Sequence, residues 1–117
     1  MSGEFWPSRK PKYQYMHGWL GYGNKEELQR VMDNPNVNII CELGTWYGKS
    51  AEFMMNYRSD KLLICVDLWS NNDIKDGNQV IKYNDKYGSL LDNYPLYETF
   101  LGNLWEHKKR IIPLKMD

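Results

Sequence analysis

Two apolar runs, each of which contains or ends at an acidic residue, dominate the pattern of hydrophobic and polar positions along the chain. The first is IICEL at 39–43 and the second is KLLICVD at 61–67. Short runs that do not alternate with polar residues are typical of strands buried on both faces of a parallel sheet. The residues of the first strand that we expect to be buried are Ile39, Ile40, Cys41 and Leu43.

Helical spacing of apolar residues predicts three helices around these strands. The first begins after an N-cap at Asn24, the second separates the two strands, and the third starts at Pro95 and ends with basic residues at 108–110. Their apolar faces are Leu28, Val31 and Met32, then Ala51, Met54 and Met55, then Leu96, Phe100, Leu101 and Leu104. A third strand is predicted at 111–116. A helix between two buried strands indicates a right-handed parallel βαβ unit and therefore an α/β fold.

The remaining segments have less regular patterns. Residues 1–11 lack apolar periodicity and predict an extended arm or a flexible terminus, whereas the aromatic, glycine-rich segment 13–23 predicts a loop that packs on a surface. Residues 70–94 predict a functional loop or a partly helical segment. We therefore divide the chain into an arm and aromatic loop at 1–23 and a single domain at 24–117.

Composition narrows the function class. Fifteen basic and fifteen acidic residues give no net charge, so the chain lacks the basic footprint of a nucleic-acid-binding protein. Cys41 and Cys65 lie in apolar runs and are predicted to be buried free thiols, and no metal-ligand cluster is predicted. No apolar stretch approaches the ~20 residues that span a bilayer. We expect a soluble, cytoplasmic protein that has no nucleic-acid or membrane partner.

The turn GTWYGKS at 44–50 suggests a phosphate site in two ways, and neither fits. Gly48, Lys49 and Ser50 reproduce the end of a nucleotide-triphosphate loop, but the gap between the two glycines is one residue too short. A dinucleotide site needs a glycine at the position of Trp46, where the indole would obstruct the diphosphate. Both phosphate interpretations are therefore disfavoured.

The stretch IICELGTWYGKSAEFMM, followed by LLICVDLW, resembles the first half of class I S-adenosylmethionine-dependent methyltransferases. The likeness covers residues 19–117 and is greatest to small-molecule O-methyltransferases related to the macrocin O-methyltransferases and the cephalosporin hydroxylase-like proteins. The spacing from Glu42 to Asp67 is close to the ~20 residues expected between a glycine turn and a ribose-binding acid. The resemblance implies a Rossmann-like three-layer unit with parallel strands in the order 3-2-1, and S-adenosylmethionine as the cofactor.

The resemblance also implies roles for individual residues. Glu42 would anchor the methionine end of the cofactor, Ser50 would bond its carboxylate, and Gly44 would let the backbone pass beneath the sugar. Asp67 would accept hydrogen bonds from both ribose hydroxyls. The other predicted cofactor-binding residues are Thr45, Trp46, Gly48, Leu68, Trp69 beside the adenine, and Asp117 at the adenine amino group.

Structural roles are the alternatives at these positions. Glu42 could cap a helix or pair with Lys49, Asp67 could be an ordinary acid at a strand end, and Trp69 could pack in the core. His17 is a candidate base, but a lone histidine in an aromatic loop is more often structural. No catalytic residue is assigned.

The resembling enzymes have seven strands in the order 3-2-1-4-5-7-6, and this chain supplies residues for strands 1 to 3. The first strand would then be a free sheet edge, so we expect it to pair with a second copy, antiparallel across a twofold axis. The predicted function is the S-adenosylmethionine-binding portion of a methyltransferase that acts on a small hydroxylated molecule, incomplete as a single-chain enzyme. A noncatalytic nucleoside-binding or assembly module is the alternative.

Overall fold

The structure, a computed structural model, describes residues 5–21, 23–70, 74–76, 79–81 and 83–116. The α-helices are α1 (Asn24–Asp33), α2 (Lys49–Tyr57), α3 (Tyr83–Asn93) and α4 (Leu96–Asn103), and a 3₁₀ helix covers Trp105–Arg110. The strands are β1 (Ile39–Leu43), β2 (Leu62–Asp67), β3 (Ile74–Asp76), β4 (Gln79–Ile81) and β5 (Ile111–Lys115). Among the described residues, no helix is both long and apolar enough to cross a membrane.

The sheet has three parallel strands in the order β1-β2-β5, with Leu43 opposite Val66 and Val66 opposite Leu114. This arrangement confirms the predicted α/β class and the parallel β1-α2-β2 unit. A separate antiparallel hairpin, β3-β4, precedes α3, so the segment at 70–94 is partly helical and also contains two short strands that the sequence did not indicate.

Helices cover one face of this sheet and leave the other face open. Leu63 and Ile111 are fully buried in a core that α2 and α4 complete with Met54 and Phe100. On the opposite face, the exposed fraction of Leu43 is 78 %. The expected burial of β1 on both faces and the expected three-layer arrangement are therefore wrong for the described residues, because the described helices pack against one face only.

The N-terminal arm is anchored to the core at Trp6. The indole nitrogen of Trp6 donates to the carbonyl of Ile111 at 2.9 Å, and the ring is only 7 % exposed. The aromatic loop is fastened by Asn103, whose side chain exchanges hydrogen bonds with the backbone of Tyr15 and donates to the carbonyl of Tyr47. Residues 1–23 therefore include structural parts of the domain, and the prediction that the aromatic loop packs is confirmed.

Three local predictions are corrected by the structure. Gly23, at a φ of 83°, is the N-cap of α1, and Asn24 is the first helical residue. The basic residues at 108–110 end the 3₁₀ helix and not α4. Cys65 is a buried free thiol as predicted, but Cys41 is exposed because it lies on the uncovered face of β1.

Gly48 permits the close packing of α2 against α4. Its φ is 95°, and a Cβ atom there would collide with the side chains of Leu104 and Phe100. Gly44 has a similar φ of 78°, but the space around its Cα is open. The two glycines therefore share a left-handed backbone and differ in what surrounds them.

We predict that Gly48→Ala destabilises the chain by about 3 kcal/mol, since it adds overpacking of about 1–3 kcal/mol to the strain of a left-handed residue. Gly44→Ala, the matched control, carries only the strain and should cost about 1–2 kcal/mol. Urea unfolding measures both values. Equal losses in the two variants would contradict the packing role of Gly48.

Candidate functional site

The candidate site lies where β1 and β2 end side by side. The amide of Gly44 donates to the carbonyl of Val66 at 2.8 Å, so the glycine turn continues the pairing of the two strands by one residue. Ligands of parallel α/β sheets bind outside the carboxyl ends of the strands. The turn after β1 and the segment after β2 are therefore placed to share one ligand.

A closed hydrogen-bond network, which we call the Asp67 clamp, fixes both segments. The carboxylate of Asp67 accepts from the amide of Trp46 at 2.8 Å and, through its other oxygen, from the amide of Trp69 at 2.7 Å. The indole nitrogen of Trp69 then donates to the carbonyl of Trp46 at 2.7 Å. Both tryptophans are left-handed, with φ values of 59° and 45°, a conformation that non-glycine residues adopt only at a cost. The clamp compensates for that cost.

Asp67 therefore has a structural role, which is to hold the backbone of the two segments. Each of its oxygens holds one backbone amide and keeps further lone-pair capacity, so hydrogen bonds from ligand hydroxyls remain chemically possible. Trp69 itself faces the core, is 1 % exposed and stacks on Phe100 at 4.6 Å. The packing alternative for Trp69 is the one the structure supports, and its indole does not line the site.

Glu42 carries a buried oxygen without a well-formed hydrogen bond. One of its carboxylate oxygens accepts from the hydroxyl of Ser50. Its Oε1 and the Thr45 hydroxyl are both buried, and neither makes a hydrogen bond of normal geometry within the described part of the chain, although the Thr45 hydroxyl is near enough to stabilise the Glu42 carboxylate. Burial raises the pKa of Glu42, the nearby hydroxyls of Ser50 and Thr45 offset part of this rise, and the charge of Asp67 adds to it. Lys49 donates to the carbonyl of Gly18 at 3.4 Å, so the alternative of an ion pair with Glu42 is not observed.

Three neighbouring depressions surround these groups. The sheet-end cleft, of about 320 Å³, is lined by Leu43, Gly44, Val66, Asp67, Leu68 and Met116. The turn cleft, of about 60 Å³, is lined by His17, Gly18, Trp19, Gly44, Thr45, Trp46, Lys49 and Ser50. The carboxylate cleft, of about 250 Å³, is lined by Trp19, Leu20, Asn24, Glu27, Leu28, Glu42 and Ser50. Because Gly44 joins the first two and Ser50 joins the last two, the depressions follow one another from Asp67 to Glu42.

The aromatic loop forms one wall of these depressions. The indole nitrogen of Trp46 donates to Nδ1 of His17 at 3.1 Å, and the rings of Trp19 and Tyr87 pack around the imidazole. His17 is therefore held in a structural role at Nδ1. Trp19 is 63 % exposed and lines two of the three depressions.

Most of the predicted cofactor-binding residues meet at these depressions. Those that line them are Glu42, Gly44, Thr45, Trp46, Ser50, Asp67 and Leu68. Gly48 and Trp69 face the core, and Asp117 lies outside the described residues. The sequence did not indicate Trp19, Leu20 or Met116 as site residues. The aromatic or apolar character of a side chain does not show whether it reaches the rim of a depression.

Within the described part of the chain, no group of three His, Cys, Asp or Glu side chains is arranged to hold a metal ion. Comparison of the chain with protein-family models, with curated proteins and with solved structures finds no match. The interpretation of the site therefore depends on its own residues.

We predict that Asp67→Asn lowers the free energy of unfolding by about 2 kcal/mol, because the amide presents a donor to one of the two backbone N–H groups and hydrogen bonds to a charged acceptor are worth ~1.5–3 kcal/mol. Asp92→Asn, at an exposed position of α3, is the matched control and should change stability by less than about 0.5 kcal/mol. Denaturant unfolding measures both. Wild-type stability in Asp67→Asn would show that the clamp is dispensable.

A second prediction concerns the pH dependence of Glu42. Its pKa in the folded chain lies above the ordinary value of 4.5, so the folded chain holds this proton more tightly than the unfolded chain does. The stability that results is present in full below the unfolded-state pKa and is lost as the pH rises through the folded-state pKa. Glu42→Gln, which stays neutral, should therefore gain stability over the wild type near neutral pH and none below pH 4.5.

Thermal unfolding of Glu42→Gln and of the wild type across this pH range measures the difference in stability. Glu26→Gln, which removes the same charge from an exposed position of α1, is the control. A Glu42→Gln difference from the wild type that changes no more with pH than the Glu26→Gln difference does would contradict the raised pKa.

Proposed function

We propose that the chain binds S-adenosylmethionine across the carboxyl ends of β1 and β2, as the cofactor-binding portion of a methyltransferase that acts on a small hydroxylated molecule. The observation that carries this proposal is the buried Oε1 of Glu42, which makes no well-formed hydrogen bond to the described residues and lies beside depressions that lead over Gly44 to Asp67. An unsatisfied buried acceptor is costly unless a ligand donor completes it. The parallel β1-α2-β2 unit with a ligand at this end is the Rossmann-like arrangement.

The carboxylate cleft suits the amino-acid end of the cofactor. Glu42 offers its Oε1 to an ammonium group, and a charge-assisted bond of this kind is stronger than a neutral one. The first turn of α2, which contains Ser50, favours a ligand carboxylate through the helix dipole and its backbone N–H groups, because the Ser50 hydroxyl itself donates to Glu42. The unlike charges of a zwitterionic tail would therefore each find a complementary group.

The sheet-end cleft suits the nucleoside end. Leu43, Leu68 and Met116 supply apolar walls for a base, and Asp67 supplies acceptors for hydroxyls. Its volume of about 320 Å³ falls at the lower end of the ~300–1,000 Å³ typical of small-molecule sites. When bound, S-adenosylmethionine supplies an electrophilic methyl group on its sulfonium, and this chain's residues would hold and orient it.

A noncatalytic nucleoside-binding module is the second candidate. It is favoured by the engagement of Nδ1 of His17 with Trp46, which leaves the one histidine at the site in a structural role. Such a module would bind the cofactor and its demethylated product equally well without transferring a methyl group.

We predict that isothermal titration detects binding of S-adenosylhomocysteine and S-adenosylmethionine, and that Glu42→Gln weakens both about tenfold, the equivalent of ~1.4 kcal/mol. The variant loses the negative charge that pairs with the ammonium group. Glu26→Gln, the matched control at an exposed position, should bind as the wild type does.

Adenosine alone, titrated in the same way, separates the two ends of the site, because its affinity should be unchanged in Glu42→Gln. No heat of binding from any of the three ligands would overturn the proposal. Methyl transfer from the bound cofactor to a hydroxylated small molecule by this chain would exclude the noncatalytic module.

A further inference from the structure

The two outer edges of the parallel sheet differ in their ability to accept another strand. The amide of Met116 donates to the carbonyl of Asp67, so the even-numbered residues of β5 bond to β2 and the odd-numbered residues point outwards. Pro113 is one of these outward residues and has no N–H to offer. Proline on an outer edge is a common protection against further pairing.

Among the described strands, the outer edge of β1 lacks such protection. Leu62 donates to the carbonyl of Asn38 and Gly44 donates to Val66, so the even-numbered residues of β1 bond to β2. The backbone N–H and C=O groups of Ile39, Cys41 and Leu43 therefore point to the outer edge. Their side chains occupy the uncovered face of the sheet, where all three are exposed.

We infer that the β1 edge is a docking surface for a second copy of this chain, whose β1 pairs with it in antiparallel fashion to extend the sheet across a twofold axis. The tests of this inference measure self-association and not cofactor binding, although Leu43 also lines the sheet-end cleft.

Strand β1 is self-complementary about Cys41. A twofold axis at this residue places Ile39 opposite the partner's Leu43 and Cys41 opposite the partner's Cys41. All three residues on each strand have outward backbone groups, so they form hydrogen-bonded pairs. Glu42, the one charged residue of β1, points its side chain to the helix-covered face, and no like charges meet across the axis.

The position of Cys41 allows a direct test of this register. Hydrogen-bonded antiparallel pairs have Cβ atoms ~5.5 Å apart, beyond the ~3.5–4.5 Å that a disulfide spans, so a short bismaleimide is the suitable cross-linker. Each maleimide adds the S–H of one thiol across its carbon–carbon double bond, which forms a thioether and leaves no by-product. We expect the bismaleimide to convert the native chain to a covalent dimer, and Cys65→Ser to cross-link as the wild type does, because Cys65 is buried. Cys41→Ser should give no cross-link.

Sedimentation equilibrium tests the noncovalent dimer. A five-residue edge buries less area than the ~1,200–2,000 Å² of stable complexes, so we expect a reversible dimer, twice the 14.0 kDa of one chain, at micromolar or higher concentration. Leu43→Pro removes one outward N–H, as Pro113 does in β5, and should weaken dimerisation at least tenfold. Leu43→Thr keeps that N–H and should retain the dimer.

Leu114→Lys distinguishes edge pairing from packing of one sheet face on another, because Leu114 lies on the uncovered face but away from β1. It should leave the dimer intact. A monomer throughout the micromolar range, or a dimer that is lost in Leu114→Lys and kept in Leu43→Pro, would overturn the inference. If circular dichroism shows Leu43→Pro to be unfolded, cross-linking of the native chain decides: the absence of a covalent dimer through Cys41 would overturn it equally.

Discussion

The Asp67 carboxylate is the interaction on which the site depends. It stands at the end of β2 and accepts from the amides of Trp46 and Trp69, two residues held in a conformation that tryptophan rarely adopts. Through Trp69 the clamp reaches the core at Phe100, and through the indole of Trp46 it reaches His17 in the aromatic loop. One charged side chain therefore fixes the sheet end, the core and the wall of the depressions relative to one another.

The polar groups around the clamp divide into satisfied and unsatisfied ones. Asp67 has a backbone donor on each oxygen, whereas Glu42 and Thr45 each have a buried oxygen that makes no well-formed hydrogen bond to the described residues. A buried oxygen of this kind costs free energy, which a ligand donor can recover. The Asp67 carboxylate thus maintains the shape of the candidate site, and we propose that the Glu42 carboxylate binds the ligand.

Local patterns were sufficient to predict much of this architecture. The apolar runs located β1 and β2, and the spacing of Ala51, Met54 and Met55 located the buried face of α2, because these signals depend on neighbours in sequence. The left-handed backbone of Trp46 depends on the hydrogen bond that its amide donates to the distant Asp67, and it has no local signal. Burial of Trp6 and exposure of Leu43 depend on which surfaces meet in three dimensions, which an apolar run does not specify.

The most direct test of the central claim is nuclear magnetic resonance of the ¹⁵N-labelled chain during titration with S-adenosylhomocysteine. If the cofactor binds at the ends of β1 and β2, the amide signals of Gly44, Thr45, Ser50 and Leu68 should shift most. A titration that shifts no signal, or that shifts only those of the groove between α1 and α2 near Phe53, would contradict it.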